Sequence, residues 1–324
     1  MATENIAQLG SANVTKGRSL GAEAWSRLIK NKAAVAGMIM IVFFTVLSIL
    51  APVFSPHNPL QIFSGKSYLP PPWYESDLKD GDPDFFFGTD SIGRDVMSRL
   101  IYGTRVSIVV GLIPTIVILL IGTTVGMISG YFGGNWDTVL MRITDVIYAF
   151  PDILFFIIVM VALREEPIGQ FMNGLFLLFM ALAIVNWVGV ARLVRGQVLS
   201  LKQKEFVEAA RCIGVKDSRI MFRHILPNSL GPLIVSAAFT VPGLIISEAI
   251  LGFLGLGLRP ATELEGNYFI TSWGSLLLDG YGGINSQPFI LLPPAICIAL
   301  IVLSFTFLGD GLRDALDPRM RGVQ

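Results

Sequence analysis

This sequence predicts an all-α polytopic membrane protein with six transmembrane helices, and three observations lead there. Hydrophobic residues make up 53% of its 324 residues and charged residues only 15%. The mean hydropathy of +0.65 lies, with that composition, outside the range of a soluble domain. Six runs approach the roughly 20 apolar residues needed to cross about 30 Å of hydrocarbon, and one strongly charged segment separates two of them. Formal net charge is zero, so bulk charge points neither to nucleic acid nor to acidic substrates.

Residues 33–54, 106–128 and 171–191 carry no charge, residues 229–250 carry only Glu248, and residues 289–309 are again uncharged. Residues 143–163 are interrupted by Asp145 and Asp152 but are otherwise strongly apolar. The first run, of 22 residues, exceeds a signal-peptide core and no A-x-A-like cleavage site follows it, so it reads as a retained signal-anchor. The organisation expected is a tail (1–32), the anchor (33–54), a loop (55–105), a five-helix core (106–309, including the charged loop 191–228) and a second tail (310–324). With the N-terminus inside, inner segments hold seventeen Lys and Arg and outer segments seven. That bias predicts that both termini and the 191–228 loop face the cytoplasm.

Of the outer loops, 55–105 opens with Pro56 and Pro59 and contains Pro70-Pro71-Pro72, which predicts extended or irregular backbone. Ile92, Val96, Met97, Leu100 and Ile101 then recur at helical spacing. They predict a short amphipathic helix on the outer membrane face, leading into the second span. Packing against the spans is its simplest use and contact with an external partner the alternative. Residues 256–288, rich in Gly and aromatics, form the other outer loop.

The charged segment runs from Arg192 to Asn228 with eight basic residues and three acids, Glu205, Glu208 and Asp217. At about 3 kcal/mol per charge, placing it at a bilayer centre would cost about 30 kcal/mol. It therefore stays in water. Lys202 to Ile213 can form a helix with Phe206, Ala209, Ala210 and Ile213 along one side. Gly214 stands where a left-handed C-cap is cheapest. Asp217 can cap a second helix that runs to Pro227, where a bend is expected. Small Ala209 and Ala210 allow another surface to approach closely. Spacing alone leaves two readings open, a docking surface and a hairpin lying under the bilayer.

Catalytic and metal chemistry find little support. Cys212 and Cys297 are far apart, without a CxxC or Cys/His cluster, and His57 and His224 are isolated. Gly65-Lys66-Ser67 is not a P-loop, since Leu60 stands where the first glycine is required. Neither a catalytic nor a metal-ligating residue is expected. Acids within spans are costly and mark candidate sites. Asp145 reaches the interface, Asp152 after Pro151 is a candidate for a water-filled path, and Glu248 either lines that path or pairs with a neighbouring chain. Pro151, Pro242, Pro293 and Pro294 can kink their helices, and Gly252, Gly255 and Gly257 allow close packing.

EAARCIG followed by ILP resembles the EAA loop of ABC importer permeases, with Glu208, Ala209, Ala210, Gly214, Leu226 and Pro227 at the matching positions. His224 stands where the common pattern has Ile, a variant similar to the peptide-transporting branch. GTDSIGRDVMSRLIYGTRVSI (88–108), SEAILGFLGLGLRP (247–260), SWGSLL (272–277) and LGDGLRDALDPRMRG (308–322) agree with that branch. Together they extend over most of residues 25–322. The chain thus resembles the C-type permease of dipeptide, oligopeptide and nickel ABC importers.

That resemblance implies a type I importer permease fold in a bacterial inner membrane and no catalytic activity in this chain. It makes the charged loop a coupling helix, with Glu205, Glu208, Ala209, Ala210, Gly214, Leu226 and Pro227 as ATPase-coupling residues. Asp152 and Glu248 remain the translocation-path candidates. The partners it implies are membrane lipid, a second permease, two ATP-binding subunits carrying ATP and Mg, and an external solute-binding protein. Peptides are the first substrate class, with nickel chelates, glutathione and other small solutes as alternatives. A self-sufficient secondary transporter or channel is the competing class. The lack of an evident inverted repeat and the scarcity of mid-membrane ionisable groups argue against it.

Overall fold

The computed structural model describes residues 20–75, 79–259, 261, 263, 268–284 and 287–317. Residues 1–19 and 318–324 of the two tails, and Pro260, lie outside the described residues. Among those described, the structure is helical, with one isolated bridge between Thr89 and Asp95.

The helices are α1 (Leu20–Leu28), α2 (Lys32–Ile49), α3 (Ala51–Phe54), α4 (Val96–Phe132), α5 (Gly134–Tyr148), α6 (Asp152–Ala162) and α7 (Pro167–Gln170). They continue with α8 (Leu175–Leu201), α9 (Glu205–Cys212), α10 (Asp217–Ile220), α11 (Leu226–Phe253), α12 (Trp273–Gly282) and α13 (Leu292–Leu316). Among the described residues, five stretches are long and apolar enough to cross a membrane, six if the bent pair α5–α6 counts as one. The first four uncharged or nearly uncharged runs fall in α2–α3, α4, α8 and α11, and the last in α13. Asn31 starts α2 by accepting the Ala33 and Ala34 amides at 3.1 and 3.2 Å, and Asp95 starts α4 by accepting those of Met97 and Ser98. Such caps satisfy the amides that a helix start leaves orphaned.

Two expectations need correction. Residues 143–163 are not one straight span, because α5 and α6 meet at 79°. Pro151 is extended there (φ −61°, ψ 117°), and its ring and missing N–H stop the helix continuing. Nor does a separate amphipathic helix lie on the membrane face. Ile92 sits in a turn, whereas Val96, Leu100 and Ile101 are buried in the first turns of α4 itself. The preceding loop wraps this segment, so its polar residues are enclosed too. Arg105 donates to the Ser48 carbonyl at 2.9 Å and lies over the Tyr268 ring at 4.1 Å.

Outward rows on α2 (Ile39, Val42, Phe43, Val46) and α4 (Ile113, Ile116, Val117, Leu120) are apolar and exposed, as a hydrocarbon solvent requires. Inside, Ile118, Phe156, Leu178 and Leu182 join α4, α6 and α8. A second cluster of Phe44, Ile245, Trp273 and Ile301 joins α2, α11, α12 and α13. The most extensive helix–helix contact is α4 on α8. Gly122, Gly126 and Gly130 repeat every fourth residue, and a Cβ at Gly126 would come to 2.5 Å from the Ala191 carbonyl oxygen. Small residues at this spacing let helices associate where no hydrophobic drive exists between them. Gly126→Val is therefore expected to lower stability by about 1–3 kcal/mol through overpacking, read as a reduced unfolding temperature in detergent. An unchanged temperature would contradict this packing.

Leu28, Ala34 and Ala315 pack together, and a Cβ at Gly231 would lie 4.0 Å from Leu316. The described chain ends thus stand at the same end of the bundle as residues 202–225. The loops 55–95 and 254–272 occupy the far end.

Candidate functional site

Between α8 and α11 the chain leaves the bundle and turns a rigid corner. Lys202 anchors its exit, donating to the Gly130 carbonyl at 2.9 Å. α9 follows, with Glu205 and Glu208 in its first turn, where the positive end of the helix dipole favours acids. Gly214 adopts φ +76°. Its amide donates to the Arg211 carbonyl at 2.9 Å, and the Val215 amide to that of Ala210 at 3.1 Å. This pair of bonds is a Schellman motif, and glycine is the residue that enters its left-handed position without a Cβ penalty. Val215 then packs back on the same core cluster as Ala210.

Of the stripe expected along one side of α9, three members are exposed and only Ala210 turns inward, so Ala210 is withdrawn from any contact surface. Val207 and Ala210 are the buried residues of α9, while Ala209 is exposed, as are Phe206 (41%) and Ile213 (80%). Phe222, on the second arm, is 66% exposed. The result is an apolar row on a water-facing corner, ringed by the exposed Glu205, Glu208, Arg211 and Arg219.

The second arm also departs from expectation. Asp217 does not cap α10 with its side chain; it accepts a hydrogen bond from the Tyr131 hydroxyl at 2.6 Å. Pro227 does not end the helix. Met221–Ile225 widen into a π-type turn, and Pro227 sits in the first turn of α11. The wider turn accommodates a residue with no N–H to donate. Leu226 is half-buried against the core, and Pro227 is exposed. Glu205, Glu208, Ala209 and Ala210 therefore belong to one arm, Leu226 and Pro227 to the other, and Gly214 to the corner between them.

Sequence reading missed the residues that brace this corner. Arg195 donates to both Asp137 carboxylate oxygens, at 2.6 and 2.7 Å, and Ser129 donates to the same carboxylate. A bidentate guanidinium–carboxylate pair fixes orientation as well as distance. It ties α8 to α5 beside the Tyr131–Asp217 link, so motion of the corner bears on α4, α5 and α8 together. The only sequence signal was a charge placed just beyond the end of each apolar run. Asp145, as read, lies near that same end and pairs with Arg192 at 2.8 Å.

The path candidates do not meet in one site. Asp152 is exposed and begins α6, its carboxylate accepting the Ile153 amide at 3.0 Å. Glu248 was expected on a path or against another chain, but its side chain is fully enclosed by its own chain. Ser272 at the start of α12 is beside it, Gly257 crosses nearby, and neither carboxylate oxygen has a partner at hydrogen-bond geometry. At the far end, Gly65-Lys66-Ser67 is loop, with Lys66 paired to Asp82 at 2.7 Å.

Kinked and broken apolar spans around an exposed, capped corner define a polytopic membrane protein. The family model described as "Binding-protein-dependent transport system inner membrane component" matches residues 122–322. A second, "N-terminal TM domain of oligopeptide transport permease C", matches residues 19–71. The oligopeptide transport system permease protein OppC of Haemophilus influenzae is 41% identical over 310 residues, covering 94% of this chain and 91% of that protein. The dipeptide transport system permease protein DppC of Bacillus subtilis is 39% identical, covering 92% of this chain and 86% of that protein. OppC of Escherichia coli (strain K12) is 39% identical with 98% of each chain covered. Among solved structures, the inward-facing MetNI methionine ABC transporter matches with a TM-score of 0.55 at 20% identity, covering 68% of this chain and 97% of that one. That likeness shows the fold. The chain belongs to the inner-membrane permease components of binding-protein-dependent ABC importers, in their C-type oligopeptide and dipeptide branch.

Proposed function

We propose that this chain forms half of the translocation pathway of an ATP-driven importer of di- and oligopeptides. The exposed apolar row Phe206, Ala209 and Ile213 on a capped corner, with Phe222 exposed on the second arm, is the observation that carries the coupling role. Such a row is costly to leave solvated, and a separate ATPase with a matching groove would cover it. The names of the relatives above favour peptides as cargo.

In this reading the corner faces the cytoplasm, in accord with the Lys and Arg bias. A second, similar permease supplies the other half of the pathway, and two ATP-binding subunits hold ATP and Mg. A solute-binding protein delivers peptide at the far end. ATP binding draws the ATPase subunits together and moves α9. The Schellman corner transmits that displacement as a rigid body to α8 and α11, and the Asp137–Arg195 pair carries it to α5. The path between the permeases then changes the side to which it opens. This chain moves, and its partners hydrolyse ATP.

Reconstitution tests the proposal. Vesicles holding both permeases and both ATPase subunits, supplied with binding protein, are expected to accumulate labelled tripeptide only with internal ATP. Accumulation by this chain alone, driven by an ion gradient, would establish the secondary-transporter reading instead.

A further inference from the structure

At the far end of the bundle lies a cavity of about 240 Å³. Arg94, Arg99, Arg164, Thr271, Ser275 and Asp279 supply its polar lining, and Gly252, Gly255 and Gly257 leave backbone at its wall. Two of the three guanidiniums are already neutralised. Asp90, fully buried, accepts from Arg94 Nε at 2.7 Å and from Arg99 Nη1 at 2.6 Å. Asp279 accepts from Arg99 Nη1 at 2.7 Å and from Arg94 Nη2 at 3.5 Å. The neighbouring Arg259 is paired with Glu165 at 2.9 Å and also donates to the Arg164 carbonyl.

Arg164 is different. Its side chain lines the cavity, makes no ion pair among the described residues, and leaves Nη1 buried with no acceptor. Arg259 Nε, close by, is likewise buried without one. A buried guanidinium N–H without an acceptor costs roughly 1–3 kcal/mol or more, and an arginine cannot escape that cost by losing its proton. An arginine at the cavity wall with no carboxylate partner among the described residues is matched by a planar anion, and a carboxylate fits the guanidinium fork.

We propose that this cavity is a binding subsite for the C-terminal carboxylate of the transported peptide, with Arg164 as its charge partner. The proposal rests on the peptide-import reading and adds a residue and a group to it. The cavity is much larger than the space one water needs, yet smaller than the roughly 300–1,000 Å³ of pockets that engulf a whole drug-sized ligand. It therefore takes the end of a peptide and leaves the remaining residues outside, which suits cargo of varied length. Binding at a carboxylate found on every unmodified peptide reads no side chain.

The test uses the assembled importer in lipid nanodiscs, without binding protein, titrated calorimetrically with trialanine and with trialanine amide. The wild-type assembly is expected to bind trialanine at least tenfold more tightly than the amide. Arg164→Gln is expected to shrink that ratio below twofold by weakening trialanine alone, and Arg164→Lys to restore part of it. A wild-type assembly that binds both peptides equally, or an Arg164→Gln assembly that still separates them tenfold, would overturn the subsite. So would an Arg164→Gln assembly that loses affinity for ligand-free binding protein while its peptide preference is unchanged, since the carboxylate would then belong to that protein. Failure of the peptide-import reading has a different signature: binding protein and ATP would drive no tripeptide uptake in the wild type.

Discussion

Ala209→Arg is expected to cut ATP-driven uptake by about a hundredfold, which corresponds to about 2.7 kcal/mol of lost docking, while every span remains inserted. Ala209 is exposed on the face that also carries Phe206 and Ile213. A guanidinium there must be desolvated without a partner when a groove closes over it, a cost of several kcal/mol. Because the side chain points to water within this chain, folding is spared. Gly214→Pro reaches the same endpoint by another route. Proline holds φ near −65° where the corner requires +76°, and it removes the amide that donates to Arg211. Uptake in vesicles and protease accessibility of the loops separate lost coupling from lost insertion. Undiminished uptake in both variants would contradict a coupling role for the corner.

Asp90→Ala is expected to be the most damaging single change to stability, at about 3–5 kcal/mol. Asp90 is fully buried and accepts from two guanidiniums as well as from the Ile92 and Arg94 amides. Without it, Arg99 keeps only Asp279, itself partly exposed, and the turn that feeds α4 loses its centre. The yield of folded protein and its unfolding temperature in detergent report the effect. Asp90→Asn keeps an acceptor oxygen and is expected to be milder. By contrast Lys66→Gln, which breaks the partly solvated pair with Asp82, is expected to leave the unfolding temperature unchanged, since exposed pairs contribute little. Equal effects from the buried and the solvated site would refute this account of the far end.

The parts of this molecule legible in its sequence were those set by local composition. Uncharged runs marked the spans because hydrocarbon tolerates few charges. Gly214 announced its left-handed corner because few other residues enter it. What stayed hidden depended on partners distant in the chain. Asp137 and Arg195 are 58 residues apart, and no periodicity connects them. Asp217 looked like a cap, yet the Tyr131 hydroxyl claims its carboxylate. Pro151 was visible, but the apolar residues on both sides of it read as one interrupted span, since hydropathy carries no direction. The inward turn of Ala210 stayed hidden as well, since the spacing of an apolar stripe does not say which of its members meets the core. Here Val207 and Ala210 meet it, leaving Phe206 and Ile213 outside.

Whether a separate motor covers that outward row can be measured directly. A photoreactive residue at position 213, where the apolar side chain is 80% exposed, would be activated in the assembled importer. The account predicts a covalent product with an ATP-binding subunit from position 213 and none from the buried position 207. A product with lipid alone, or with no subunit at all, in an assembly that still transports peptide would contradict it.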